Sequence, residues 1–183
     1  MNNKKFTGID TKYLARASVI AALYAALTLV IYPLSFGAIQ LRFSEAMCIL
    51  PLFYPEAVPG LFVGCVVSNL LSPNIPILDV TLGSLATLLS AILTRMLRNS
   101  SKRTKFIFAP LPAVILNALL VGLVVSLSAT SFGEGFMIVY LTNCLYVGIG
   151  QAIVCYPLGI ILIILIDKIK NRIDKTGAND YKL

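Results

Sequence analysis

The sequence of 183 residues contains no histidine and no tryptophan, and only 13% of its residues are charged. The absence of histidine removes the commonest general base and the commonest ligand of transition metals. It also excludes a catalytic triad of the Ser-His-Asp type. The phosphate-binding pattern GxxxxGK[ST] does not occur either. These absences argue against an enzyme, against a bound metal and against a chain that hydrolyses nucleotides itself.

What the sequence has in excess is apolar surface. Hydrophobic residues make up 58% of the chain, and the mean hydropathy is +0.88. A soluble domain of this size carries about 25% charged residues, so this chain is expected to have lipid rather than water as its main solvent. The net charge of +7 then indicates membrane topology rather than a nucleic-acid partner. The four cysteines all lie in apolar stretches without a CxxC pair, which predicts buried small side chains.

Six apolar segments predict six transmembrane helices, and the fold class is an all-α membrane protein. The second and third segments are short, and Pro51 interrupts the second near its end. The last segment exceeds the roughly 20 residues that a straight crossing needs, so we expect a kink at Pro157 and Gly159 or a helix that projects past the bilayer. The segments are residues 12–32, 43–53, 57–71, 78–97, 106–129 and 136–166.

The distribution of positive charge predicts the orientation of these helices. With both the N- and C-termini in the cytoplasm, all but one of the 15 Lys and Arg residues lie at or beside cytoplasmic segments. The exception is Arg42, on the outer side. We therefore expect a cytoplasmic tail over residues 1–11, a membrane domain over 12–170 and a second cytoplasmic tail over 171–183. No cleavage site follows the first apolar run, so a removed signal peptide is not expected.

The outer side of this predicted bundle collects polar side chains that packing alone does not need. Ionisable groups at membrane depth are costly and usually face a cavity or a partner. Arg42 and Glu45 could neutralise each other as an i,i+3 pair, and Asp79 could be an ordinary helix N-cap. Because every outer loop lies at the same face, we expect the set to converge on a substrate-binding site. Its members are Gln40, Arg42, Glu45, Asn69, Asp79, Glu134, Asn143 and Tyr146, with Asn74, Asn117 and Gln151 nearby.

Two helices have spacings that predict which face is buried or contacted. On the last segment, Asn143, Tyr146 or Val147, and Gly150 form one inward stripe. On the first segment, small residues recur at every fourth position in two adjacent rows, a pattern that permits close helix packing. This surface could pack within the chain or form a docking face for another membrane subunit. The rows are Ala17, Ala21 and Ala25, and Ser18, Ala22 and Ala26.

Three short patterns between Gly37 and Arg95 resemble the QueT family. They are the IQ-R-SEA, PG-GC-SN and D-GS-AT patterns in the stretch beginning GAIQLRFSEAM. QueT proteins are substrate-binding S components of energy-coupling factor (ECF) transporters, assigned to queuosine precursors. The resemblance implies a six-helix bundle in the plasma membrane of a prokaryote. It also implies an ECF coupling protein and two ABC ATPases as partners, with no cofactor in this chain and ATP hydrolysed by the partner ATPases.

The resemblance also gives the polar residues specific roles. The substrate would be a 7-deazaguanine in its aminomethyl, cyano or complete queuine form, held under lids formed by residues 34–42 and 72–76. Glu45 or Asp79 would accept the two neighbouring N–H groups of the base, while Arg42 would orient Glu45 or cap a loop. Amides at Gln40, Asn69 or Asn143 would bond to the carbonyl and ring nitrogens of the base. Glu134 would pair with a cationic aminomethyl group. The flat ring would stack on Phe43, Phe132, Tyr140 or Tyr146. The docking surface would be Ala17, Ala21, Ala22, Ala25 and Ala26.

Three other functions remain compatible with the residues alone. The chain could be an S component for another vitamin-like molecule. It could be a self-sufficient transporter that uses Glu45 or Asp79 for proton coupling. It could also be a membrane-embedded enzyme or assembly subunit whose acids hold Mg²⁺, although no clustered acidic spacing is present.

Overall fold

The computed structural model describes residues 10–37, 39–72 and 76–180 of the chain. These residues contain helices and no strand. Four of the helices are long and apolar enough to cross a membrane, as expected for a membrane protein. They are α1 (Thr11–Val30), α4 (Asp79–Asn99), α5 (Lys102–Ala129) and α6 (Phe136–Asp180). Asp10 caps α1 by accepting a hydrogen bond from the backbone N–H of Lys12.

Two shorter apolar helices, α2 (Phe43–Leu52) and α3 (Ala57–Asn69), lie between α1 and α4. Helix α2 is wound as a 3₁₀-helix and continues through Pro51, where the sequence predicted a break or kink. A 3₁₀-helix rises about 2.0 Å per residue against about 1.5 Å in an α-helix. Ten residues therefore extend about 20 Å instead of about 15 Å, which lets a short segment reach further across the bundle.

Helices α4 and α5 are each widened by one π-helical turn, at Asp79–Gly83 and at Asn117–Val121. The two turns pack against each other. Such turns are rare and are frequent at functional sites. Helix α6 runs unbroken through Pro157 for 45 residues. The helix continues past the apolar run that ends near Ile166.

Contacts along the helices give their relative directions. Helices α1 and α3 run parallel, because Gly60 contacts Ala17 and Gly64 contacts Ala21 further along both. Helix α2 runs beside α6 in the same direction. Gly150 of α6 contacts Ile39, shortly before α2, and Gly159, further along α6, contacts Ile49 within α2.

The charged side chains near the start of α1 and the end of α2 are mostly basic. Arg16 forms an ion pair with Glu56 at 3.0 Å, and Arg95 donates to the carbonyl of Pro51. Lys170 lies over the rings of Phe53 and Tyr54. The bundle therefore has one basic end, and the predicted binding residues lie toward the other end.

The apolar core lies between these ends and is built mainly from small side chains. Tyr24, Leu61, Cys65, Ala91 and Ala113 are fully buried within one cluster. All four cysteines are free, and Cys48, Cys65 and Cys155 are buried, whereas Cys144 is half-buried. The sequence prediction of buried cysteines therefore holds fully for three of them.

Candidate functional site

Five of the eight predicted binding residues come together at the end of the bundle opposite the basic residues. Gln40 and Arg42 come from the loop before α2, Glu45 from its first turn, Asn69 from the end of α3 and Asp79 from the start of α4. Each is at most 1% exposed. Burial of so many polar groups is costly unless they are paired or meet a ligand, so this cluster is the candidate site.

Glu45 is held by three donors from three different helices. Its Oε1 accepts hydrogen bonds from the hydroxyl of Tyr24 on α1 and from Thr87 Oγ1 on α4, the latter at 2.9 Å. Its Oε2 accepts from Cys48 Sγ, one turn further along α2. An ionised carboxylate only accepts hydrogen bonds, and these donors match it. Oε1 is fully occupied by the protein, so Glu45 has less capacity left to bind a ligand than the sequence suggested.

Arg42 faces Asp79 rather than Glu45. Its NH2 lies 4.0 Å from Asp79 Oδ1, its Nε donates to the carbonyl of Ser35 at 3.2 Å, and the guanidinium lies over the ring of Phe36. Arg42 precedes α2 in an extended conformation, so it does not share a helical face with Glu45 and the i,i+3 pair does not form. The loop-capping role is therefore the one observed. The terminal nitrogens NH1 and NH2 donate no hydrogen bond.

Gln40 combines a strained backbone with an unpartnered side chain. Its φ of 51° lies in the left-handed region, which a residue other than glycine adopts at a cost and which is enriched at functional sites. The carbonyl of Gln40 accepts from Gln151 Nε2 on α6 at 3.2 Å. Both atoms of its own side-chain amide are buried without a partner. The surrounding loop thus holds Gln40 in place without using its amide.

Asn69 and the π-helical turns complete the cluster. Asn69 Nδ2 donates to the carbonyl of Asp79 at 2.9 Å, and Gly83 leaves room for this amide, since a Cβ there would lie 2.8 Å from it. The hydroxyl of Ser72 donates to Asp79 Oδ2. Asn69 Oδ1 has no partner, and neither do the buried Ser84 Oγ beside Gly83 or Asn117 Oδ1 in the adjacent π turn.

Several buried side-chain atoms in the elements that carry this cluster make no hydrogen bond. Natural proteins leave few buried polar atoms without hydrogen bonds, and each such atom costs about 1–3 kcal/mol. A small polar ligand that offers both donors and acceptors would satisfy them. They are Ser35 Oγ, both amide atoms of Gln40, NH1 and NH2 of Arg42, Asn69 Oδ1, Ser84 Oγ and Asn117 Oδ1.

The other three predicted residues do not join this cluster. Glu134 is exposed in the loop before α6. Tyr146 is 48% exposed, because Val147 occupies the buried face with Gly150 and Gln151. Asn143 points inward but donates to Ser126 Oγ on α5 at 2.9 Å.

The rings that were predicted to stack on the substrate are exposed or hydrogen-bonded elsewhere, and part of the second lid lies outside the described residues. Phe132 is 75% exposed, Phe43 is 37% exposed, and the Tyr140 hydroxyl donates to the carbonyl of Leu119. The buried ring beside Arg42 is instead Phe36, which the sequence did not single out. Asn74 and the middle of the second lid, residues 73–75, lie outside the described residues.

Sequence reasoning also missed Tyr24, Thr28 and Thr87. Tyr24 and Thr28 lie on the buried face of α1 with Ala17 and Ala25. The i, i+3/i+4 spacing of these four residues is the signal that could have identified them. Thr28 Oγ1 lies 2.7 Å from Ser44 Oγ, so α1 contacts the start of α2 at two successive residues, Ser44 and Glu45.

The small residues of α1 divide between two faces. Ala17 and Ala25 are buried and Ala21 is half-buried, with the carbonyls of Ala17 and Ala21 against Gly60 and Gly64. Ser18, Ala22 and Ala26 are exposed on the other side of the helix. Of the two uses that the sequence left open, the first row thus packs within the chain. The second row, Ser18, Ala22 and Ala26, remains accessible.

A bundle of apolar helices that encloses a polar cluster near one end is the architecture of a membrane protein. A family model described as "QueT transporter" matches residues 14–168, most of the chain. The chain belongs to the QueT transporter family, which confirms the resemblance seen in the sequence. This is a family of transporters rather than of enzymes. No curated protein and no solved structure gave a match. Among the described residues, no three His, Cys, Asp or Glu side chains form a group that could hold a metal ion.

Proposed function

We propose that this chain is the substrate-binding S component of an ECF importer and captures a queuosine precursor at the outer face of the membrane. The observation that carries the proposal is the set of buried polar atoms that make no hydrogen bond in the loop before α2, at the end of α3 and at the π turns. A purely structural bundle would gain stability by pairing these atoms or replacing them with apolar groups. A bound ligand that supplies both donors and acceptors would pair these atoms.

The proposed topology has six crossings, with both ends in the cytoplasm of a prokaryotic cell. Support comes from the basic end of the bundle, where Arg16, Arg95 and Lys170 make their contacts. Positive residues are retained on the cytoplasmic side of membranes. The candidate site is at the opposite end, which in this orientation is the outer face.

The chemistry of the unpartnered atoms fits a 7-deazaguanine. The guanidinium of Arg42 and the amide N–H groups of Gln40 would donate to the carbonyl of the base. Asn69 Oδ1 and Asn117 Oδ1 are acceptors that would meet its N–H groups, with the Asp79 carboxylate beside them. Glu45 would hold the site together through Tyr24 and Thr87. The ring of Phe36 supplies an apolar surface next to Arg42.

Ligand binding by the isolated chain tests this proposal. Thermal unfolding of the detergent-purified chain would be measured with the aminomethyl, cyano and queuine forms, and with thiamine, riboflavin, biotin and folate. A ligand at 100 times its Kd stabilises the folded state by about 2.7 kcal/mol, so a deazaguanine is expected to raise Tm by several degrees. Arg42→Lys, which loses the planar fork of donors, should abolish the shift, whereas the exposed Glu134→Gln should retain it. A vitamin that outcompetes every deazaguanine would refute the substrate assignment.

The partners in this proposal are an ECF coupling protein and two ABC ATPases that hydrolyse ATP. The exposed row Ser18, Ala22 and Ala26 gives the coupling protein a flat surface for close helix contact. Ala22→Trp or Ala26→Trp should abolish uptake while the isolated chain still binds ligand. The matched control is Leu27→Trp, which adds the same ring to an exposed position about 140° around the helix from Ala22 and about 100° from Ala26. Transport by the chain alone, driven by a proton gradient, would contradict the need for partners.

A further inference from the structure

Helix α1 contacts the candidate site with one face and exposes a row of small residues on the other. Tyr24 is fully buried and donates its hydroxyl hydrogen bond to Glu45 Oε1. Ala22 and Ala26 are each two residues from Tyr24, about 200° around an α-helix, and both are exposed. One rigid helix therefore has Glu45 on its inner side and the proposed docking row on its outer side.

A second contact one turn further along α1 reinforces the first. Thr28 Oγ1 bonds to Ser44 Oγ at 2.7 Å and also lies 2.9 Å from the carbonyl of Tyr24. Because the hydroxyl of Thr28 can donate to that carbonyl and accept from Ser44, both distances are satisfied together. Ser44 and Glu45 are consecutive residues of the first turn of α2. Two turns of α1 are thus hydrogen-bonded to the α2 turn that carries the buried carboxylate.

Helix α1 packs closely on α3 at the level of Tyr24. Gly64 lies so close that a Cβ there would be 2.8 Å from Tyr24 Cβ and 2.7 Å from the carbonyl of Ala21. Both atoms belong to or adjoin the α1 backbone. The backbone of α1 at Tyr24 is therefore packed directly against α3.

We propose that Tyr24 is a positioning residue that couples occupancy of the candidate site to the position of α1, and thereby to the binding of the coupling protein on the row Ser18, Ala22 and Ala26. This inference rests on the proposed function. A ligand that contacts the groups around Glu45 alters the geometry of its carboxylate. The Tyr24 hydrogen bond carries that change to α1.

Coupling between two sites is reciprocal, so it is measurable as a ratio of ligand affinities. The Kd of aminomethyl-7-deazaguanine would be determined by calorimetry for the chain alone and for the chain bound to the coupling protein and its ATPases. For the unmodified chain the two Kd values are expected to differ at least fivefold, at the lower limit of typical allosteric coupling. In Tyr24→Phe, which removes only the hydroxyl, they should agree within about twofold.

Two matched variants separate coupling from simple weakening of the site. Thr87→Val removes the other hydroxyl that donates to Glu45 Oε1, but from α4 rather than α1. It should weaken ligand binding and still retain the ratio of the two Kd values. Tyr156→Phe makes the same chemical change at a hydroxyl that donates to the carbonyl of Ile107, and it should leave both affinities and their ratio unchanged.

The possible outcomes distinguish this inference from the proposed function. A chain that binds neither the base nor the coupling protein overturns both. If both bind but the unmodified chain shows equal Kd values, or if Tyr24→Phe keeps the original ratio, the inference fails and the proposed function stands. The inference would also be overturned if Thr87→Val made the two Kd values as similar as Tyr24→Phe does. The coupling would then not depend on the contact that comes from α1.

Discussion

Replacing Gly64 by alanine tests whether close packing of α1 on α3 holds the candidate site together. A Cβ at this position would lie 2.7 Å from the carbonyl oxygen of Ala21, 2.8 Å from Tyr24 Cβ and 3.1 Å from Ala21 Cα. Ordinary contact begins at 3.4 Å, so 2.7 Å against 3.4 Å is a shortfall of about 0.7 Å in a close-packed interior. Since all three atoms are backbone or Cβ atoms of α1, the helix itself must move away.

The expected cost follows from two opposing effects. Overpacking of a core typically costs about 1–3 kcal/mol, and the upper part of this range, about 2–3 kcal/mol, applies here because no flexible side-chain end is available to yield. Replacing a helical glycine by alanine gains about 1 kcal/mol of helix propensity. We therefore expect Gly64→Ala to lower the free energy of unfolding by about 1–2 kcal/mol. The same displacement lengthens the Tyr24 hydrogen bond to Glu45, so ligand affinity should fall as well.

The assay is denaturant-induced unfolding in detergent for a series of glycine variants. At Gly148 the added Cβ would meet only the Cβ of Ala118 at 3.3 Å, and at Gly133 it would meet nothing within 4 Å. Gly133→Ala should therefore leave stability within about 0.5 kcal/mol of the unmodified chain, and Gly148→Ala should lie between the other two. Equal unfolding midpoints for Gly64→Ala and Gly133→Ala would refute the reasoning.

Other substitutions near the candidate site give further expected outcomes. Glu45→Ala leaves the buried Tyr24 hydroxyl without its acceptor, while Thr87 can still donate to the carbonyl of Gly83, and should lower the free energy of unfolding by about 1–3 kcal/mol, measured by denaturant titration. Gly150→Ala would place a Cβ against the carbonyl oxygen of Ile39, which would displace the loop that carries Gln40, so calorimetry should show at least about tenfold weaker binding of aminomethyl-7-deazaguanine. Tyr146→Phe alters a side chain that is 48% exposed and should leave that affinity within about twofold; a larger loss would contradict the placement of this residue outside the site.

The features that could be predicted from the sequence are those that depend on whether lipid, water or the protein interior surrounds a residue. Long apolar runs predicted the long helices, because a bilayer sets their length. The rarity of charge in such runs drew attention to Gln40, Arg42, Glu45, Asn69 and Asp79, which the structure buries together. The cost of isolated polar groups in an apolar interior makes this kind of convergence foreseeable.

The features that did not follow depend on helix phase and backbone conformation. Choosing between Tyr146 and Val147 as the inward residue needed the helix phase to within one residue, about 100°, which the spacing of α6 left open. The pairing of Arg42 with Asp79 depends on an extended residue before α2 and on the approach of α4. The position of Phe36 beside Arg42 depends on a loop whose backbone includes the strained Gln40. No periodic pattern encodes these three arrangements.

The 3₁₀ winding of α2 has a consequence for how this helix tolerates change. With three residues per turn, side chains at i and i+3 eclipse, so the helix has three straight columns of side chains. The column of Glu45 and Cys48 holds the carboxylate and its thiol donor, while the column that contains Ile49 and Leu52 packs on Ala109 and Ile163. A one-residue deletion after Cys48 would rotate every later residue by about 120° and transfer each column to a different neighbour. A three-residue deletion would restore the columns and only shorten the helix, so the tolerance of α2 to deletions should itself have a period of three.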